Sequence, residues 1–325
     1  MQEAYELEVA RVAFLPLGAD ANTAVFSITT TDQANYFLKL RSGKFGETAV
    51  SLPKHLHDHG NLHIIPPLPT RAGRLWAELG DYRVILSPFV AGRDGYEVAL
   101  TEAQWRQFGA AVRQLHEATL LPELRAQIPV YRTTDRWREA VRGLLAMAEP
   151  FVDEVARETA VFLQSKRTEL LSLIARAEQL AVVVDCLDDF VVCHADLHAG
   201  NLLLDDDGRL FVVDWDTLLL APKERDLLFV GGGLLGNWRS AAEEVALFAA
   251  GYGETAVNHA ALAYFRYDRI LEDIALYGEE LLINDTDSAD RAQALYYLQT
   301  NFRPNGTIAL AREAESGVWG VGSGE

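Results

Sequence analysis

The chain has 325 residues, 49% of them hydrophobic and 23% charged, a composition ordinary for a soluble globular protein and long enough for one large domain or two lobes with substantial cores. Its formal charge of −18 argues against nucleic-acid and anionic-membrane partners, which call for a basic footprint, and would favour a cationic small molecule through long-range steering. Cys186 and Cys193 make no disulfide framework, no secretory leader is visible, and no apolar run reaches the roughly 18 residues of a membrane span, so a reducing, cytoplasmic setting is expected.

Three strands are predicted first, over residues 12–17, 24–29 and 36–40, with turns at 18–22 and 31–34. Lys39 lies among apolar neighbours on the third strand, where an unpaired charge would be costly to bury. Glu47 is the best carboxylate to pair with it, on a helix that Pro53 is expected to break or delay. His55, His57, His59 and His63 follow; no carboxylate or Cys completes a ligand set with them, so they read as surface histidines. Residues 64–77 look like a strand, a Pro-rich turn and a second strand. Residues 81–90 form a further strand that leads, at Phe89 and Val90, into a connection. The turn-rich Gly92-Arg93-Asp94-Gly95 marks a boundary, dividing the chain into 1–90 and 91–325.

Thr101 to Gln104 is a capping-box start, and Trp105, Phe108, Val112 and Leu115 recur at helical spacing as a core stripe. His116, at the end of that stripe, reads as a satisfied core or cap residue. Two helices are predicted over 135–147 and 150–181, the second a single long one. The stretch 190–216 then reads as strand, loop, hairpin and loop. Phe190 to Cys193 delivers the chain to His194-Ala195-Asp196-Leu197-His198-Ala199-Gly200-Asn201, and two short β runs flank Asp205-Asp206-Asp207-Gly208. The hairpin brings Asp214 near Asp196 and Asn201, an oxygen-rich set that suits Mg²⁺ on nucleotide phosphates better than a soft metal. His194, Asp196 and His198 at alternate positions can also chelate zinc, a reading that needs further His or Cys donors nearby. Gly231-Gly232-Gly233 lacks the strand, Lys and helix of a phosphate loop. A strong helix is predicted over 260–283, whose acidic residues suit a solvated face better than an amine site. An unpatterned tail covers 316–325.

The spacing His-x-Asp-x-x-x-x-Asn, a hairpin and a strand-terminal Asp matches the protein-kinase catalytic loop. Ala195 in place of Arg, and Trp215-Asp216 in place of Phe-Gly, resemble the aminoglycoside phosphotransferase-like kinases. The run Ala221-Pro222-Lys223-Glu224-Arg225-Asp226-Leu227 and the chain length look most like their spectinomycin phosphotransferase branch. That resemblance covers most of the chain and implies an α+β, two-lobed protein-kinase-like fold, with an N-lobe antiparallel sheet plus helix and a mainly helical C-lobe. Residues 1–90 would be the nucleotide-binding lobe and 91–325 the catalytic and substrate-binding lobe. It implies ATP and Mg²⁺ as cofactors, Asp196 as the catalytic base, and Asn201 and Asp214 as metal ligands. Lys39 would contact the phosphates with Glu47 as its ion-pair partner, Asn22 would lie in the phosphate-covering turn, and Phe89 and Val90 would sit at the adenine hinge. The implied acceptor is a hydroxyl-bearing, cationic small molecule such as an aminocyclitol antibiotic, taken by a monomer or weak homodimer. A metabolic kinase for homoserine, choline or a sugar is the alternative on the same fold, followed by a non-catalytic nucleotide-binding protein.

Overall fold

The computed structural model describes residues 1–17, 22–147, 151, 153–283 and 290–316. These fall into two compact units, each built from separate stretches of chain. Met1–Pro129, His194–Leu219 and Ala250–Gly253 make the first, and Val130–Cys193, Leu220–Ala249 and Glu254–Glu325 the second. In this division the stretch 92–95 and the residues after it, up to Pro129, stay with the first unit.

A short helix α1 (Gln2–Tyr5) precedes strands β1 (Val9–Leu15), β2 (Thr23–Thr30) and β3 (Asn35–Arg41); helix α2 (Thr48–Asp58), β4 (Ala77–Leu79) and β5 (Tyr82–Pro88) follow. The five strands form one antiparallel sheet in the order β1-β2-β3-β5-β4, so β3 is central as the sequence predicts. Alternation along β3 sends Leu38 to a core shared with Ile28, Ala77, Val84 and Leu86. The same alternation puts Lys39 and Arg41, two residues apart, on the opposite face.

Two expectations change here. Helix α2 runs unbroken through Pro53, whose missing N–H costs one helical bond that its burial beside Leu52 and Leu56 offsets. Residues 64–76 contribute no strand to the sheet. Instead Ile64 bridges to Val212, and His63 Nδ1 donates to the Leu210 carbonyl at 2.9 Å, so His63 is a tie to the hairpin and not a surface histidine.

Strand β6 (Gly92–Asp94) pairs with residues 203–205 of the hairpin; a side chain at Gly92 would place its Cβ 2.4 Å from the Leu204 carbonyl oxygen. Helix α3 (Glu102–His116) has the predicted capping box and buries Trp105, Phe108, Val112 and Leu115. His116 is buried against the Tyr252 hydroxyl at 2.7 Å, a satisfied core residue. Helix α4 (Pro122–Arg125) closes this stretch.

The second unit opens with α5 (Arg136–Ala146), α6 (Glu154–Ser165) and α7 (Arg167–Asp185). The single long helix expected over 150–181 is thus two, parted at Lys166, with no Pro or Gly to announce the break; residues 148–150 and 152 lie outside the described residues. Strand β7 (Val191–Cys193) leads back to the first unit, where β8 (Leu202–Asp205) and β9 (Leu210–Val212) form the predicted hairpin. In its turn the Asp205 carboxylate accepts from the Asp207 and Arg209 N–H groups and from Arg209 Nε. After β10 (Leu219–Ala221) come α8 (Glu224–Leu227), α9 (Ala241–Tyr252), α10 (His259–Leu282), α11 (Asp290–Thr300) and α12 (Thr307–Glu315). Helix α10 is the spine of the second unit, and α5, α6, α7, α11 and α12 pack on it. Its buried Arg266 donates to the carbonyls of Leu228, Val230 and Leu310, satisfying a charge that burial pulls down to a pKa of about 10. Among the described residues no helix is long and apolar enough to cross a membrane.

Candidate active site

The loop after β7 is held by its own histidines. His194 Nδ1 accepts the Asp196 N–H at 3.3 Å, which leaves its Nε2–H to donate to the Val213 carbonyl at 3.0 Å. His198 Nδ1 accepts the Gly200 N–H at 3.1 Å, so its Nε2–H faces Asp196 Oδ2 at 3.5 Å. Both rings therefore orient the loop. No group of three ligand atoms forms from His194, Asp196 and His198, so the zinc arrangement is not built.

Asn201 is 7% exposed, and its Nδ2 donates to the Asp196 carbonyl at 2.7 Å and reaches Asp196 Oδ2 at 3.4 Å. Its Oδ1 is the oxygen left for another partner. The Val213 N–H donates to the Asn201 carbonyl at 3.0 Å, and that link sets Asn201 beside the strand end where Asp214 begins its turn. Asp196 is near enough to Asp214 for the two carboxylates to repel. Ala195 and Asp214, on either side of this meeting point, take positive φ values of 69° and 62°.

Lys39 meets this loop from β3. Its Nζ lies 2.9 Å from Asp214 Oδ1 and 2.6 Å from Asp216 Oδ2, and Arg41 Nη1 also bonds Asp216 Oδ2. Desolvation alone would lower the Lys39 pKa, but the two carboxylates outweigh it and raise it. Desolvation would lift Asp214, and Lys39 outweighs that and holds it below the ordinary carboxylate value. The turn that carries Asp216 is pinned on both sides. Trp215 Nε1–H donates to the Val212 carbonyl at 3.1 Å and Thr217 Oγ1–H to the His194 carbonyl at 2.8 Å.

The structure thus brings together Lys39, Asp196, Asn201 and Asp214 as expected. It does not bring Glu47 to Lys39: Glu47 is the exposed N-cap of α2, and the carboxylates on Lys39 are Asp214 and Asp216. Most of the turn expected over the phosphates, residues 18–21, lies outside the described residues; Asn22 accepts at its carbonyl from the Ser42 N–H at 2.9 Å. Where the hinge was expected, just after β5, the Phe89 N–H is spent on the Asn35 carbonyl at 3.3 Å. Sequence reasoning missed Asp216 and Arg41. Arg41 was within reach, since β-alternation puts it on the Lys39 face, whereas nothing in the local sequence ties Asp216 to β3.

Residues 13–265 match the family model described as phosphotransferase enzyme family. The chain belongs to that family. Among solved structures, the phosphotransferase is similar to spectinomycin phosphotransferase APH(9)-Ia in complex with ADP and spectinomycin. The two are 32% identical with a TM-score of 0.88, over 97% of this chain and 96% of that one. An aminoglycoside phosphotransferase from Alicyclobacillus acidocaldarius shares the fold at 16% identity and a TM-score of 0.66, over 96% and 94% of the two chains. So does a microcompartment-associated aminopropanol kinase, at 18% and 0.61, over 96% and 95%. A comparison with curated proteins found no match. The phosphotransferase therefore has the kinase-like α+β fold, with an N-terminal antiparallel sheet and a helical C-terminal part.

Proposed function

We propose that this phosphotransferase moves the γ-phosphoryl group of ATP onto a hydroxyl of an aminocyclitol or aminoglycoside antibiotic of the spectinomycin kind. The observation that carries the reading is Asp196, fixed by the Asn201 amide and facing the His198 Nε2–H, beside a Lys39–Asp214 pair. Whole-length similarity at 32% identity to a spectinomycin phosphotransferase supports the acceptor class.

The donors present fit Mg²⁺: the Asp214 carboxylate and the Asn201 Oδ1 are hard oxygens, and the Asn201 amide is turned so that its nitrogen is already engaged. When bound, the ion would neutralise charge on the phosphates. Lys39 positions those phosphates. Asp196 orients the acceptor hydroxyl and takes its proton as the new P–O bond forms and the bond to the ADP leaving oxygen breaks. With the Phe89 N–H spent on the Asn35 carbonyl, the backbone of Val90 is the one to read the adenine edge.

The test is ADP release from Mg·ATP across spectinomycin, streptomycin, kanamycin, hygromycin, choline, homoserine and aminopropanol, with Asp196→Asn alongside. One aminocyclitol should stimulate release, and Asp196→Asn should lower that rate by about 10²–10⁴ while nucleotide affinity stays the same. Stimulation by choline, homoserine or aminopropanol alone would replace the antibiotic acceptor with a metabolic one. A near-normal rate in the variant would remove Asp196 as the base.

A further inference from the structure

A lysine that must meet phosphates is a long, freely rotating side chain and needs an anion to hold it. In the protein-kinase template that anion is a helix glutamate. Helix α2 offers none: Thr48 to Asp58 contains a single acid, Asp58, and it pairs with Lys54 at 2.5 Å. Glu47 at its start is exposed and makes no contact with Lys39. The place is taken from another part of the chain. Asp216 Oδ2 receives both Lys39 and Arg41, and the three side chains are only 16–19% exposed, against 51% for Asp214. Asp214 is thus the outer carboxylate, open to a metal, and Asp216 the inner one.

We propose that Asp216 is the positioning residue for the phosphate site, fixing Lys39 in the absence of a helix carboxylate and setting Arg41 beside it as a second phosphate-facing cation. The inference rests on the nucleotide-binding role proposed for Lys39. Two features make Asp216 suited to it. Its turn is pinned by Trp215 and Thr217, so the carboxylate is a fixed point and not a mobile one. It also lies two residues from Asp214, so the lysine and the metal-facing carboxylate are set by one short turn.

The experiment measures the affinity of a fluorescent ATP analogue in EDTA and then titrates Mg²⁺ at fixed nucleotide. Asp216→Asn should weaken Mg²⁺-free binding about tenfold and leave the half-saturating Mg²⁺ concentration unchanged, with Asp216→Glu recovering most of the loss. Arg41→Gln should lose a smaller part, about threefold. In a Lys39→Ala, Arg41→Gln background, Asp216→Asn should cause no further loss, because its effect passes through those two side chains. Unchanged Mg²⁺-free affinity in Asp216→Asn, or a raised Mg²⁺ requirement with intact Mg²⁺-free binding, would overturn the proposal and make Asp216 a bystander or a metal ligand. Arg41→Gln is read as a second, separate variant whose circular-dichroism spectrum checks its fold; full affinity there would remove the second cation. Wild-type protein that binds no nucleotide would instead overturn the reading of the whole site.

Discussion

Ala195 and Asp214 both hold a left-handed backbone, which costs a residue with a Cβ roughly 1–2 kcal/mol. Strain at two points of one loop system, on either side of the Asp196 carboxylate, is what a site over-determined by its surroundings looks like. At Asp214 it turns the carboxylate out of the β9 direction toward Lys39. Asp214→Ala should abolish the Mg²⁺-dependent part of nucleotide binding while Mg²⁺-free affinity stays within about threefold of wild type, as titration calorimetry with and without the ion would show. The residues of the catalytic loop were legible because covalent spacing alone sets Asp196, Asn201 and Asp214 around one hairpin. The partner of Lys39 was not, because Asp216 is 177 residues away and only the folded sheet brings it there.

Among elements, the glycine run 231–233 shows what its composition was for. Gly231 takes a φ of +65°, and its N–H donates to Glu244 at 2.8 Å, a carboxyl that is 3% exposed on α9. Burial pushes Glu244 up to about 7, partly offset by the Gly231 N–H and Arg266. Because the folded state holds this proton more tightly than the unfolded chain, the contribution to stability is present below about pH 4.5 and is lost as pH rises through about 7. Glu244→Gln should therefore gain stability relative to wild type between pH 5 and 8, on the order of 2–3 kcal/mol across the range, read as a rising difference in melting temperature. Thermal melts of both proteins over that range check it, and parallel curves would contradict it. Helices with an apolar stripe and a cap, such as α3, were legible to within a residue or two. The break at Lys166 was not, since apolar spacing continues across it, and neither was the survival of α2 through Pro53, which tertiary burial decides.

At the scale of the whole molecule, a charge of −18 bears on how the proposed cationic acceptor would be captured. Salt shortens the reach of that field, so the KM of an amine-bearing acceptor should rise a few-fold between about 20 and 500 mM salt, and that of a neutral acceptor should not. Steady-state kinetics on the two acceptors would separate this from a general salt effect. The fold class was legible through the catalytic-loop spacing of residues 194–214 and the family it resembles, since strands and helices alternate along the chain and their order alone does not name the fold. The interleaving of the units was not, since it depends on which segments pack rather than on where composition shifts. The first unit draws on three separate stretches of chain, ending at Gly253. During synthesis the N-terminal sheet must therefore wait, its lysine without a carboxylate, until residues 194–219 have left the ribosome, roughly 7–26 s later at about 5–20 residues per second. Neither unit exists as a contiguous fragment, so cutting the gene at the turn near residue 92 will not yield two foldable halves, and an insertion tolerated there would have to leave the β6–β8 pairing intact.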